Sequence, residues 1–200
     1  MTEEALLAEE DLEPEGEVEE APPALDPEAR ARRAAALAHV RVFGDPVLTT
    51  RARPVERFDD ALREEVARMA RLMNDAIGIG LAATQLGVLH RLLVYRVEPD
   101  TPALALANPR LEWRGSELET LEEGCLSLPG VHVEVERPVH VRVRAQDERG
   151  EELLLEASGL EARVIQHEMD HLDGVLVLDR TSRDQRKAAM RALREAQRAA

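Results

Sequence analysis

The chain reads as an α+β protein whose antiparallel strands gather around one central helix. Three observations carry that reading. Val131, Val133 and Val135 alternate with polar neighbours, as do Val139, Val141, Val143 and Ala145, which is the period of half-buried strands. Asp147-Glu148-Arg149-Gly150 reads as a hairpin turn, and tight turns join antiparallel neighbours. Past it, residues 159–172 switch to a helical pattern. Leu160, Val164, His167 and His171 share one face there; Ile165, Met169 and Leu172 share another. A helix apolar on most sides is usually buried.

The elements follow in order. Residues 1–29 hold 12 acidic side chains and no basic one, so the net charge of −14 belongs mostly to this stretch. With its prolines and few large apolar groups it is expected to be a disordered acidic tail. Asp26-Pro27-Glu28 resembles a helix start and leads into an Ala-rich helix over 30–39, either a linker or a helix docked on the domain. The folded unit is expected to run over 40–181, opening with a turn at Gly44-Asp45-Pro46. A helix follows from about Asp60, where Leu62, Val66, Met69 and Met73 recur at helical spacing. Short strands are expected at Arg91–Val97, Ala103–Ala107, Glu117–Leu121 and Leu153–Leu155, besides the two valine-rich ones. Ser158-Gly159-Leu160-Glu161 matches a capping box ahead of the central helix, and Gly174 suits its end. A short strand over Val175–Leu178 and a last helix over 182–200 complete the chain.

Composition narrows the class. The core must be aliphatic, because only four residues are Phe, Trp or Tyr. No apolar run approaches the roughly 18–20 residues that span a bilayer. The start lacks a basic n-region and an apolar h-region, and a lone cysteine cannot form an internal disulfide. A cytoplasmic protein rather than a secreted disulfide scaffold is therefore expected, with no membrane partner and a monomeric state.

Chemistry concentrates in His167-Glu168-Met169-Asp170-His171. Residues i and i+4 lie on one helix face with Cβ atoms about 5–6 Å apart, so two imidazoles can grip one metal while the adjacent glutamate serves as acid and base. The plain alternative is two ordinary histidines on a buried helix. A catalytic metal usually has a third protein ligand. Cys125, in Glu123-Gly124-Cys125-Leu126-Ser127, is the only thiol; Cys plus two His suits zinc or iron(II). Its alternative is an inert buried cysteine. Glu195 is a weaker third-ligand candidate, set among arginines. His132 and His140 fall on polar strand faces and read as solvated, and His39 and His90 lack ligand spacing. Gly78-Ile79-Gly80 would let a ligand approach the backbone closely, and Gln85 offers an amide donor for a developing oxyanion.

Taken together, Gly78–Gln85, Glu123–Ser127 and His167–His171 resemble the GxGLAAxQ, EGCLS and HExDH segments of peptide deformylases, in the same order. Phe43–Leu48 and Asn108-Pro109 fit as well, so the resemblance runs from about Val40 to Thr181. It implies the deformylase fold and a catalytic domain over 40–181. It also implies removal of the formyl group from the N-terminal formylmethionine of newly made polypeptides. Cys125, His167 and His171 would hold one divalent metal, commonly Fe²⁺, with Zn²⁺, Ni²⁺ or Co²⁺ able to replace it. Glu168 would carry the proton, while Gln85 and the Leu126 N–H would steady the formyl oxygen. The peptide would add as a strand beside Gly78, Ile79 and Gly80. Glu161 and Arg163 lie where a methionine pocket wall would run, and are expected to point to solvent or border its mouth. Residues 181–200 hold six basic and two acidic side chains, and the resemblance extends to forms whose basic C-terminal helix docks on the ribosome near the exit tunnel. Two other readings stand beside this one: a HExxH metallopeptidase using Glu195, and a non-catalytic ribosome- or peptide-binding module.

Overall fold

A five-stranded antiparallel sheet and a separate two-stranded ribbon pack around one buried helix in the computed structural model, which describes residues 25–199. Of the disordered tail expected over residues 1–29, residues 1–24 lie outside the described residues, while Pro27–Ala29 already belong to the first helix. The helices are α1 (Pro27–Leu37), α2 (Asp60–Asp75), α3 (Gly159–Leu172) and α4 (Arg183–Ala199). The strands are β1 (Gly80–Ala82), β2 (Leu92–Tyr95), β3 (Leu104–Arg114), β4 (Leu118–Gly124), β5 (His132–Pro138), β6 (His140–Gln146) and β7 (Glu152–Ser158). The large sheet runs β1-β2-β3-β6-β7, and β4 pairs only with β5.

The β1-β2-β3 half of the sheet is covered on both faces. Leu93, Tyr95 and Leu106 pack with Ile165, Met169 and Leu172 of α3. Leu92, Val94, Ala105 and Ala107 pack with Met69 and Met73 of α2. That double burial explains why Leu92–Tyr95 is a continuous apolar run rather than an alternating one. A third cluster joins Val133 and Val135 of β5 to Leu176, Leu178 and the α4 residues Ala189 and Leu193.

Of the two alternatives for the first helix, docking is observed. Asp26 caps α1 by accepting from Ala29 N–H at 2.7 Å, Ala36 is buried, and Arg33 Nε donates to the Ala76 carbonyl at 3.3 Å. α1 therefore rests on the C-terminal end of α2.

Three local expectations are corrected. Val175–Leu178 forms no strand; Val177–Asp179 is a 3-10 turn in which the Asp179 carboxylate accepts from Leu176 N–H at 3.0 Å. A short buried apolar run has no periodicity to separate the two outcomes. β3 does not stop at Ala107 but passes Pro109, with register shifts against β6 that accommodate the missing donor. Asn108 sits there at φ 53, and its amide bonds Val55 on both backbone atoms. The capping box fails because Ser158 still belongs to β7, where it pairs with His140. Gly159, at φ 54, turns the corner, and Glu161 instead accepts from the Tyr95 hydroxyl at 2.8 Å.

Candidate active site

β1 and β4 are both edge strands, and the cleft lies between them over α3. Its volume is about 560 Å³, and its lining includes Gly78, Ile79, Gly80, Gln85, Cys125, Leu126, His167 and Glu168. One helical turn brings His167 and His171 together, with ring centroids 5.1 Å apart. The turn after β4 carries Cys125 to the same point, and its Sγ lies 3.2 Å from His171 Nε2. The ligand atoms of Cys125, His167 and His171 all fall within 4.8 Å of one another. Among the described residues no other group of His, Cys, Asp or Glu converges in this way. Glu195 is exposed on α4 and is not part of it.

The three donors fit a divalent cation. Thiolate plus two imidazoles is a zinc or iron(II) donor set with room for a further ligand. Burial works against ionising Cys125, but His171 and His167 beside it hold the thiol well below its ordinary value. His167, although burial opposes its charge, is pushed well above its ordinary value by Cys125 and Glu123. A cation entering this site would displace that imidazolium proton, as metal binding to acidic donors generally does. Glu123 accepts from His167 Nδ1 at 3.0 Å, which leaves Nε2 as the donor toward the cluster.

Glu168 is buried beside the cluster, and burial raises its carboxyl above the ordinary value. Its Oε2 has no hydrogen-bond partner among the described residues. Such an orphan suits a group that serves a water or substrate atom. Gly80 packs so tightly on this carboxylate that a side chain there would strike Glu168, which accounts for that glycine.

Gln85 is held at both ends of its amide. Oε1 accepts from Ala82 N–H at 2.9 Å, and Nε2 donates to Ser127 Oγ at 3.2 Å, with Cys125 Sγ at 3.8 Å. Leu126 follows the cysteine, and its backbone N–H has no acceptor among the described residues.

Sequence reasoning missed the support beneath these groups. Arg137 grips Glu123 with two bonds of 2.6 and 2.9 Å and Asp170 with one of 2.9 Å. Arg163 lines the cleft, as one of the two alternatives had it, but from a buried position and not from solvent. It donates to Glu123 at 2.8 Å and to the Val135 and Glu119 carbonyls. Glu161 is likewise engaged, with Tyr95. His132 is exposed as expected yet borders the cleft, while His140, His39 and His90 are exposed away from it.

Known proteins resemble this chain in sequence and in fold. The sequence model of polypeptide deformylase matches residues 37–187. The peptide deformylase of Acidothermus cellulolyticus is 48% identical over 158 residues, covering 79% of this chain and 86% of that one. That of Thermotoga neapolitana is 49% identical over 141 residues, 70% of this chain and 85% of the other. A crystal structure of the Synechococcus elongatus peptide deformylase in complex with actinonin aligns with a TM-score of 0.74 at 44% identity, covering 76% of this chain and 85% of that one. The Thermotoga maritima enzyme aligns at 0.69 and 46% identity, over 72% and 96%. The chain belongs to the polypeptide deformylase family.

Proposed function

We propose that this chain hydrolyses the formyl amide of N-terminal formylmethionine on newly made polypeptides, releasing formate. The observation that carries the reading is the convergence of Cys125, His167 and His171 beside the buried carboxylate of Glu168, whose Oε2 has no partner among the described residues. A divalent cation held by those three donors makes water acidic near neutral pH and polarises a carbonyl oxygen. Fe²⁺ is the expected occupant, and Zn²⁺, Ni²⁺ and Co²⁺ suit the same atoms.

The residues divide the work. Glu168 accepts the proton of the attacking water and delivers it to the departing amine. Its raised pKa places it nearer that task than an ordinary carboxylate. Gln85 Nε2 and the Leu126 N–H donate to the formyl oxygen as negative charge develops there; one such donor is commonly worth about 2.7–4 kcal/mol. Gly78, Ile79 and Gly80 present backbone to the substrate, which lies extended between the free edges of β1 and β4. Leu126, Val131, Leu160 and Val164 supply apolar surface for the methionine side chain.

Substituting ligands separates this reading from the peptidase one. Cys125→Ala is expected to lose the bound metal and formate release, and Glu195→Ala to keep both, read by metal analysis and a formate assay. A Cys125→Ala protein that keeps one metal per chain would favour the peptidase reading.

The C-terminal helix is proposed to dock on the ribosome near the exit tunnel, bringing the enzyme, as a monomer, to its nascent substrates. Arg183, Arg186, Lys187, Arg191 and Arg194 are exposed on α4, the side chain class that binds RNA phosphates. Because Ala189 and Leu193 are core residues, truncating the helix would open apolar surface. Reversing Lys187, Arg191 and Arg194 to Glu is the cleaner test. Ribosome affinity should fall with small-peptide turnover retained, and unchanged affinity at low salt would defeat the docking.

A further inference from the structure

The family match begins at residue 37, so α1 lies outside it except for Leu37 itself. The helix nevertheless reaches the substrate cleft. Arg33 and Leu37 line its mouth together with Val42 and Ile77. Arg33 is anchored rather than loose: its Nε donates to the Ala76 carbonyl, where α2 ends. That bond uses one of five guanidinium donors. Among the described residues its two terminal nitrogens find no carboxylate, so a fixed cation stands at the end of a peptide groove.

The neighbouring apolar groups are equally unspent. Ile77 is 56% exposed and Val42 51% exposed. Ile77 also holds φ at 59, an outlier for a β-branched residue, fixed by its N–H bond to Asn74 and the Gly78 bond to Met73. Strain of this kind persists where surroundings over-determine it and is frequent at ligand clamps. The opposite wall carries Glu122 and His132, so the charges of the mouth are segregated, with the cation on the α1 side.

We propose that α1 lengthens the peptide groove of this chain, and that Arg33 selects substrates with a carboxylate side chain shortly after the formylmethionine. Leu37, Val42 and Ile77 cover the apolar stem of such residues. The inference rests on the deformylase reading and adds a specificity determinant, Arg33, that lies outside the span of the family match.

The test uses the full chain with its metal. kcat/KM is measured for formyl-Met-Ala-Ala-Ala and for versions with Glu or Lys at the second, third or fourth residue. The quantity read is the Glu-to-Lys ratio at each position within one protein, so any general loss of activity in a variant cancels. Wild type should favour Glu about two- to fivefold at one position, the range of a solvent-exposed charge pair, through KM and less so at high salt. Arg33→Gln should bring that ratio to about one, and Arg33→Lys should keep part of it. A wild-type ratio near one at every position, or a ratio that survives Arg33→Gln, would overturn the proposal. Absence of formate release from every peptide would instead defeat the deformylase reading itself.

Discussion

Glu123 lies at the base of the cleft beneath His167, and the site is organised around its charge. Burial disfavours that charge, but two bonds from Arg137 and one from His167 bring its carboxyl from an ordinary 4.5 down to about 2. Because the folded value lies below the ordinary one, the stabilisation is complete above about pH 4.5. It is lost as the pH falls toward 2. Glu123→Gln should therefore flatten the acid limb of stability: the gap between wild type and variant should shrink from pH 7 to pH 3. Urea midpoints at several pH values measure that gap. A gap independent of pH would mean that the carboxylate's charge is not what the site uses. Glu123 was legible only as the first letter of a motif. Its role depends on Arg137 and His167, which lie 14 and 44 residues away, and no local pattern reports such partners.

β5 shows what an element's period does and does not disclose. Val133, Val135 and Arg137 are buried while His132, Glu134 and Glu136 are exposed, so the alternation read in the sequence continues through the arginine. That register already places a guanidinium on the apolar side, and a charge there demands partners. Asp170 supplies one from α3 and Glu123 the other from β4. Arg137→Met would leave Glu123 with the guanidinium of Arg163 alone and Asp170 with that of Arg180 alone, so its cost should stay at or below the roughly 3–5 kcal/mol of a buried pair broken outright. Urea unfolding should register it, and a loss below about 1 kcal/mol would contradict the network's weight. The elements with a strong period, α2, α3, β5 and β6, were all legible. The continuation of β3 past Ala107 and the turn at Val177–Asp179 were not, since a bulge at Pro109 and a short buried run carry no repeating signal. The cap at Ser158 misled because the same residue serves strand and helix.

Across the whole molecule, three segments far apart in the chain meet at one cleft because two sheet edges and α3 converge there. The candidate set of Gln85, Cys125, His167, Glu168 and His171 was readable as motifs; the cleft's outer rim was not, since α1 had no motif and its docking rests on the burial of Ala36 and one bond from Arg33. No helix among the described residues is long and apolar enough to cross a membrane. Apart from the acidic first 29 residues, the chain holds 28 acidic and 26 basic side chains, so α4 stands out as a locally basic face on a nearly balanced body. What the proposal asks these parts to support is proton transfer by Glu168 on a metal-loaded site. The deciding measurement is formate release from formyl-Met-Ala-Ser by anaerobically prepared wild type and Glu168→Gln, with bound metal quantified in both. The expected result is one metal per chain in each, with turnover reduced on the order of 100-fold or more in the variant, as for loss of a general acid–base group. Equal turnover in both proteins, or none in metal-loaded wild type, would contradict it.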